Sequence, residues 1–362
     1  MKETVVVGMS GGVDSSVAAY LLKEQGYNVI GVTMQIWQDE DVCTLEHEGG
    51  CCGLSAVDDA RRVADVLEIP YYVMNFKQEF QTNVIDYFVR EYQAGRTPNP
   101  CIACNRYVKW ESLLQRSIEI GADYIATGHY ARIKQLPNGR YAIANSVTAR
   151  KDQTYALYNL TQEQLRRTLM PVGEYEKERV RQIAEEVGLP VAHKPDSMEI
   201  CFVPDGDYVS YIEQATGKPS VPGNFVDVCG HILGQHKGII HYTVGQRKGL
   251  GLALGYPAFV VQIRPETNEV VIGSLEHNLS HHVYAREMNF MGEEMFDENA
   301  VYQGKIRYNH AGAACHIVRR ADDLYECIFE EPQRGVTPGQ ALVLYRDGIV
   351  AGGGTICRPE TE

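Results

Sequence analysis

The sequence predicts a doubly wound α/β domain, with a parallel sheet covered by helices on both faces, followed by a small central domain and a C-terminal antiparallel β-barrel. Three observations predict it. Strand-like runs alternate with helical stripes through the first two hundred residues, the pattern of a parallel sheet. Near residue 203 the pattern gives way to the turn-rich Pro204-Asp205-Gly206, Thr216-Gly217-Lys218-Pro219 and Val221-Pro222-Gly223-Asn224. Beyond about residue 278 only short β-branched and aromatic runs remain, separated by turn signals. The expected domains are residues 1–203, 204–277 and 278–362, and a chain of 362 residues is too long for one ordinary core.

The elements follow in order. Val5-Val6-Val7-Gly8-Met9 is a continuous apolar run, as expected of a strand buried on both faces. Ser10-Gly11-Gly12 breaks it. Val17, Leu21 and Leu22 fall at helical spacing, and Gly26 is placed to end that helix. Asn28 to Trp37 reads as a second strand, Val57, Ala60, Ala64 and Leu67 as a helical stripe, and Tyr71 to Phe76 as a third strand. Helices are predicted over Glu79 to Tyr92, Arg106 to Ile120 and Glu176 to Val187, with a strand at Asp123 to Thr127. In the last third, Gly304 to Tyr308, Leu324 to Glu330 and Ala341 to Tyr345 read as barrel strands.

Apolar residues make up 44% of the chain and charged residues 22%, the balance of a soluble globular protein. No apolar run reaches the roughly 18 residues needed to cross a bilayer, and Met1-Lys2-Glu3-Thr4 lacks the regions of a signal peptide. The expected compartment is the cytoplasm, without a membrane partner. There, ten cysteines are expected to be thiols, catalytic groups or metal ligands rather than structural disulfides. A net charge of −13 excludes a broadly basic nucleic-acid coat but leaves room for a local basic groove.

Ser10-Gly11-Gly12-Val13-Asp14-Ser15 lies between the first strand and the first helix. Two glycines let the backbone turn tightly and approach an anion, the helix aims its N–H groups at that anion, and two hydroxyls add donors. No lysine follows, so this is not a Walker A loop. The loop resembles the SGGxDS loop of ATP pyrophosphatases, which cleave between the α- and β-phosphates and leave AMP on the substrate. Met34 and Gly128 are expected at the carboxyl edge of the sheet, where open α/β sheets bind ligands.

Pro98-Asn99-Pro100-Cys101-Ile102-Ala103-Cys104-Asn105 places two thiols at CxxC spacing in a proline-rich loop just before a helix, whose N-terminus favours thiolates. A third thiol, Cys201, lies in Met198-Glu199-Ile200-Cys201-Phe202-Val203. CxxC alone fits a redox pair or half a zinc site, for which His47, Cys51 and Cys52 are imaginable partners. Cys43, Cys229, Cys315, Cys327 and Cys357, with Cys51 and Cys52, read as ordinary buried or surface thiols.

Taken together, SGGVDS, NPCIACN, GHY at 128–130, KDQTY at 151–155 and SMEICFV resemble the tRNA-specific 2-thiouridylases of the ATP-pyrophosphatase superfamily, along the whole chain. The resemblance implies an adenine nucleotide alpha hydrolase-like first domain and an ATP- and Mg²⁺-dependent sulfurtransferase acting on the wobble uridine of tRNA. It implies nucleotide contacts at Gly8, Met9, Ser10, Gly11, Gly12, Val13, Asp14, Ser15, Met34 and Gly128. It implies Cys104 as nucleophile and Cys201 as carrier of a persulfide delivered by a cysteine desulfurase or a sulfur-carrier protein. Adenylation makes the uridine C2 oxygen a leaving group, a persulfide attacks C2, and a Cys104–Cys201 disulfide remains to be reduced. Where one well-known family pattern has an Asp, usually cast as a general base, this sequence has Cys101. That leaves a thiolate in place of the base, a second thiol in the loop, or a [4Fe–4S] cluster on Cys101, Cys104 and Cys201.

The resemblance also implies tRNA contacts at Asn99, Pro100, His129, Lys151, Asp152, Gln153, Arg307, Tyr308 and Gln340, and a central domain that binds tRNA. Arg307-Tyr308 is expected on a barrel strand among Lys305, His310, His316, Arg319 and Arg320, where a cation beside an exposed ring suits a phosphate and a stacked base. Local basic runs at Arg61-Arg62, Arg166-Arg167, Lys177 to Arg181, Arg247-Lys248 and Arg319-Arg320 would have to carry RNA binding in so acidic a chain. The competing readings are another adenylating enzyme of the amidotransferase or argininosuccinate-synthetase type, which has no need of NPCIACN or a distant Cys201, and a non-catalytic nucleotide- or metal-binding module.

Overall fold

The structure is a computed structural model that describes residues 2–36, 54–196 and 200–359. Trp37, Cys43, His47, Cys51, Cys52, Met198 and Glu199 lie outside the described residues. The chain divides into two compact units. The first comprises Met1–Ile85, Pro100–Gly206 and Gly348–Val350, and the second Asp86–Asn99, Asp207–Asp347 and Ala351–Glu362.

The first unit is built on a five-stranded parallel sheet. Thr4–Gly8 is its central strand. Asn28–Gln35 and then Tyr71–Asn75 lie to one side, Tyr124–Ala126 and then Thr168–Leu169 to the other. Val5, Val6 and Val7 are fully buried because helices cover both faces, which is why the run is apolar without alternation. The chain builds the sheet outward in one direction, returns to the centre and builds in the other. The order therefore reverses beside the central strand, and the crevice at its carboxyl end is where such sheets take a ligand. The Ser10–Ser15 loop and Gly128 both lie there.

Two segments differ from the sequence prediction. The helix expected from Arg106 begins at Pro100 and continues to Glu119, so Cys101 and Cys104 stand inside a helix and not in a loop before it. Proline is well suited to a helix's first position, where its missing N–H would have no partner. From Cys104 to Leu113 the helix is wound in the wider π form, a rare geometry that is often found at functional sites. The hairpin Ala131–Gln135 with Tyr141–Asn145 was not predicted, although Pro137-Asn138-Gly139 marks its turn.

The second unit holds a four-stranded sheet and a barrel. In the sheet, Gly223–Asp227 lies between Ile232–His236 and Glu269–Gly273, with Phe259–Arg264 outermost. Phe225, Tyr242, Val260, Val270 and Ile272 form its core. The barrel runs Leu279–Phe290, Leu324–Arg334, Ala313–Ala321, Tyr302–Lys305, Ala341–Arg346 and Ile349–Cys357, and pairing of the first with the last closes it. Closure removes the exposed edges of an open sheet. Cys315 and Cys327 are fully buried in its core. Arg307 and Tyr308 fall in the turn after Tyr302–Lys305, not on the strand as predicted.

Within this unit the turn before Ala341–Arg346 is clamped onto the segment that leads to Pro100. The Thr97 N–H donates to the Pro338 carbonyl at 2.8 Å, and the Gln340 carboxamide donates to the Thr97 carbonyl at 2.8 Å.

Candidate active site

The glycine loop is shaped by one residue more than the other. Gly11 has φ +67°, and a Cβ there would stand 2.4 Å from the Ala56 carbonyl oxygen, so only glycine fits. Gly12, at φ −102°, carries no such constraint; it precedes the helix Val13–Glu24, which no side chain caps. The first-turn N–H groups of that helix are therefore left for an anion. The loop is braced from within: the Ser10 N–H donates to Ser15 Oγ at 3.2 Å, and Ser16 Oγ donates to the Gly12 carbonyl at 2.8 Å. Met9 itself is core, 2% exposed, with its carbonyl held by Thr33 Oγ1 at 2.7 Å. Gly8 ends the central strand, while Met34 lies near the carboxyl end of the second and pairs with Met74.

Gly128 meets the loop from the neighbouring strand. A Cβ at this position would lie 2.5 Å from the Ser15 nitrogen, so a side chain would push the two backbones apart. The two glycines that matter, 11 and 128, thus fix how closely backbone surrounds the helix N-terminus.

Asp14, in the first turn of that helix, is neutralised by the protein. Lys177 Nζ lies 2.7 and 2.9 Å from its two oxygens, and the Tyr130 hydroxyl donates to it at 2.7 Å. Lys177 is 7% exposed and also contacts Asp196 at 2.8 Å. Asp196 in turn accepts from Lys151 at 2.7 Å and Arg181 at 2.8 Å. Burial pushes the Asp196 carboxyl up, but the bonds from Lys151 and Lys177 outweigh burial and hold it at about 2. Burial, the Asp14 charge and the Asp14 hydrogen bond all raise the Tyr130 hydroxyl, so it stays protonated and donates.

The remaining motifs join the same circuit. Gln153 exchanges two hydrogen bonds with Tyr130, its N–H donating to the Tyr130 carbonyl at 3.0 Å and its Oε1 accepting from the Tyr130 N–H at 2.9 Å. Asp152 accepts from the Ser146 N–H at 2.9 Å and the Thr154 N–H at 3.1 Å. Lys151, Asp152 and Gln153 are therefore all engaged inside the unit. Asn105, beside Cys104, is 2% exposed and donates to the Ala156 carbonyl at 2.9 Å, which ties the cysteine helix to KDQTY.

Lys109, one helical turn further, donates to Asn105 Oδ1 at 2.9 Å and lies 3.5 Å from His129 Nε2. His129 Nδ1 is 2.7 Å from Thr127 Oγ1. An ammonium can only donate, so Nε2 accepts, Nδ1 carries the proton and donates to Thr127. Burial and then the Lys109 charge lower the imidazole well below its ordinary value, so His129 is neutral at pH 7.

Cys101 is exposed, and Cys104 and Cys201 are partly buried. Phe202, next to Cys201, packs edge-on against Phe80 at 5.8 Å. Phe80 is 1% exposed, and its helix, Lys77–Phe80, packs against Cys104–Leu113. One aromatic side chain thus links the neighbourhoods of the two thiols, and Asp196 anchors the chain five residues before Cys201.

Asn99 immediately precedes the helix and Pro100 is buried at its start. In the second unit Arg307 donates to the Arg334 carbonyl at 3.0 Å, Tyr308 is 44% exposed, and Gln340 makes the clamp described above. Sequence reading named Tyr130 only within its motif, read Lys177 only as part of a basic run, and passed over Lys109 and Asp196. Lys177 stands 163 residues from Asp14, and nothing local in sequence marks such a pair.

A glycine loop facing an uncapped helix at the switch point of a parallel sheet defines a nucleotide-binding α/β protein. Residues 3–205 match the tRNA methyl transferase HUP domain family, residues 210–274 the tRNA methyl transferase PRC-barrel domain, and residues 280–356 the aminomethyltransferase beta-barrel domain. Over 354 residues the chain is 70% identical to the tRNA-specific 2-thiouridylase MnmA of Lachnoclostridium phytofermentans, covering 98% of this chain and 99% of that one. It is 54% identical to the protein of the same name from Clostridioides difficile, over 98% of both chains, and 57% identical to that of Clostridium perfringens, again over 98% of both. The chain belongs to the tRNA-specific 2-thiouridylase family. Among the described residues no helix is long and apolar enough to cross a membrane.

Proposed function

We propose that this chain binds ATP at the Ser10–Ser15 loop, adenylates the C2 oxygen of the wobble uridine in tRNA, and replaces that oxygen with sulfur through Cys104 and Cys201. The observation that carries this is the closed circuit of the first unit, in which Asp14, Tyr130, Gln153, Lys151, Asp196 and Lys177 join the anion loop to two other motifs, GHY and KDQTY.

The chain's own groups have definite tasks in this reading. The first-turn N–H groups of Val13–Glu24 and the hydroxyls of Ser10 and Ser15 hold the phosphates, and Gly11 and Gly128 let the backbone reach them. Met34 borders the adenine side. Mg²⁺ bound to the triphosphate would shield its charge, and Asp14 of the loop accepts from Lys177 through both oxygens. The uridine oxygen attacks the α-phosphorus, and the P–O bond to pyrophosphate breaks. His129, neutral and fixed by Thr127 and Lys109, and the Asn99–Pro100 segment flank the flipped base.

Cys201 carries the outer sulfur of a persulfide supplied by a separate donor. That sulfur attacks C2 and AMP leaves. The Cys104 thiolate then attacks the inner sulfur, the S–S bond to the transferred atom breaks, and a Cys104–Cys201 disulfide forms, which an external thiol reduces. Cys101, exposed one turn before Cys104, is the second thiol of the helix. Iron content separates this route from one through a [4Fe–4S] cluster on Cys101, Cys104 and Cys201: protein purified without oxygen is expected to thiolate tRNA without bound iron.

The test is Cys201→Ala. ATP binding and tRNA-dependent pyrophosphate release are expected to persist while 2-thiouridine formation disappears. Unchanged thiolation by this variant would overturn the reading.

A further inference from the structure

We infer that the hairpin turn from Asp227 to His231 is a zinc-binding site, with Asp227, Cys229 and His231 as its three protein ligands. The site lies in the four-stranded sheet of the second unit, and the inference is independent of the tRNA reading above.

The backbone brings the three residues together. Asp227 ends the strand Gly223–Asp227, and the next strand begins at Ile232. Gly230, at φ +90°, turns the chain back between them. Asp227 and His231 then face each other across the turn. The Asp227 N–H donates to the His231 carbonyl at 2.9 Å, and the His231 N–H donates to Asp227 Oδ1 at 2.8 Å. The Cys229 N–H donates to the same oxygen, also at 2.8 Å. One carboxylate oxygen is thereby fixed by two backbone groups. The other, Oδ2, is left facing the imidazole, whose Nδ1 lies 2.9 Å away. One donor atom from each of the three side chains lies within 4.8 Å of the others, and among the described residues no other set of His, Cys, Asp and Glu converges in this way.

The turn does not itself call for these residue types. Cysteine without a disulfide is among the most buried residues in proteins, yet Cys229 is exposed at the tip of a hairpin, where turns favour Gly, Asn or Asp. The His231 side chain is 78% exposed, so packing does not place it either. What the two share is ligand chemistry, beside a carboxylate already held in position.

The donor set selects the metal. A thiolate, an imidazole and a carboxylate suit Zn²⁺, whereas Mg²⁺ wants oxygens alone. Tetrahedral zinc holds neighbouring ligand atoms about 3.3–3.6 Å apart, a span that rotation of the exposed Cys229 and His231 side chains can meet. Zinc would replace the proton that Nδ1 and Oδ2 share, the thiol would lose its proton to solvent, and water would fill the fourth position. Nothing is oxidised or reduced.

The experiment follows alkylation of Cys229 in the full-length chain, mapped by mass spectrometry, in solutions of buffered free Zn²⁺. Site-specific mapping separates this thiol from the others. Zinc is expected to slow modification of Cys229 about tenfold or more, and Mg²⁺ to leave it unchanged. His231→Ala and Asp227→Asn, the latter keeping an oxygen for the turn's N–H groups, are expected to need about tenfold or more zinc for the same protection. Cys315 and Cys327, buried in the barrel core, should stay unmodified in every variant and so report folding. Equal modification of wild-type Cys229 with and without zinc would overturn the inference. So would undiminished protection in His231→Ala, since zinc would then be held by the thiol without the imidazole.

Discussion

The cations of the first unit's circuit and those of the Gly245–Ala258 loop make opposite use of the same charge. Lys177, Lys151 and Arg181 converge on Asp14 and Asp196 at 2.7–2.9 Å, and Lys177 is almost wholly buried. Arg247 and Lys248 are exposed and, among the described residues, have no carboxylate partner. Taking an ammonium out of water is costly unless carboxylates surround it, so a buried cation positions the protein's own parts. An exposed and unmatched cation keeps its water and exchanges it for a phosphate at little cost. A chain of net charge −13 thus spends buried cations such as Lys177 on its own carboxylates and leaves others in water.

The comparison is broken most severely by removing the buried cation. Lys177→Met leaves Asp14 and Asp196 facing each other without it. A loss of about 3 kcal/mol in urea unfolding is expected, the cost of breaking a buried pair, together with loss of pyrophosphate release. A variant as stable as wild type would show that the pairing is not structural.

Gly128→Ala tests the backbone approach rather than the charge. With a Cβ placed 2.5 Å from the Ser15 nitrogen, ATP affinity measured at equilibrium is expected to fall by about tenfold or more, while Gly12→Ala, whose Cβ would meet only Ser10 Oγ at 3.6 Å, is expected to fall by less.

The acid limb of stability isolates Asp196. Its folded carboxyl is held at about 2, below its unfolded value near 4, so its contribution is fully present above pH 4 and is lost as pH falls through 2. The stability gap between wild type and Asp196→Asn should therefore be largest near neutrality and close between pH 4 and pH 2. A gap that widens in acid would reverse the assignment.

The smallest expected effect belongs to His129. Its folded value is depressed, so the unfolded chain takes up the proton first and stability falls as pH drops below about 6.5. His129→Gln keeps a polar side chain without a titrating ring, and its melting temperature should fall less than that of wild type between pH 7 and pH 5.

Much of the first unit was legible in sequence because its signals are local. Val5-Val6-Val7 reads as a doubly covered strand, and SGGVDS reads as a turn facing a helix N-terminus. Helix starts were less legible. Pro100 looked like part of a loop, yet it is the first residue of the helix, because the N–H that proline lacks is not used there. Arg307-Tyr308 looked like strand because Ile306 and Tyr308 are good strand formers, but the strand ends at Lys305. The Asp14–Lys177–Asp196–Lys151 circuit was not legible, since side-chain pairs across a fold leave no periodic trace. Neither was the character of the basic runs: Lys177 to Arg181 and Arg247-Lys248 look alike in sequence, and only burial and partners separate them.

The account turns on two thiols, far apart in sequence, acting on one uridine. The direct measurement is a single-turnover reaction with persulfide-loaded protein, ATP and tRNA, quenched with an alkylating agent and mapped by mass spectrometry. The account predicts a Cys104–Cys201 disulfide that appears in step with 2-thiouridine and in equal amount. Full thiolation with both thiols recovered alkylated would contradict it.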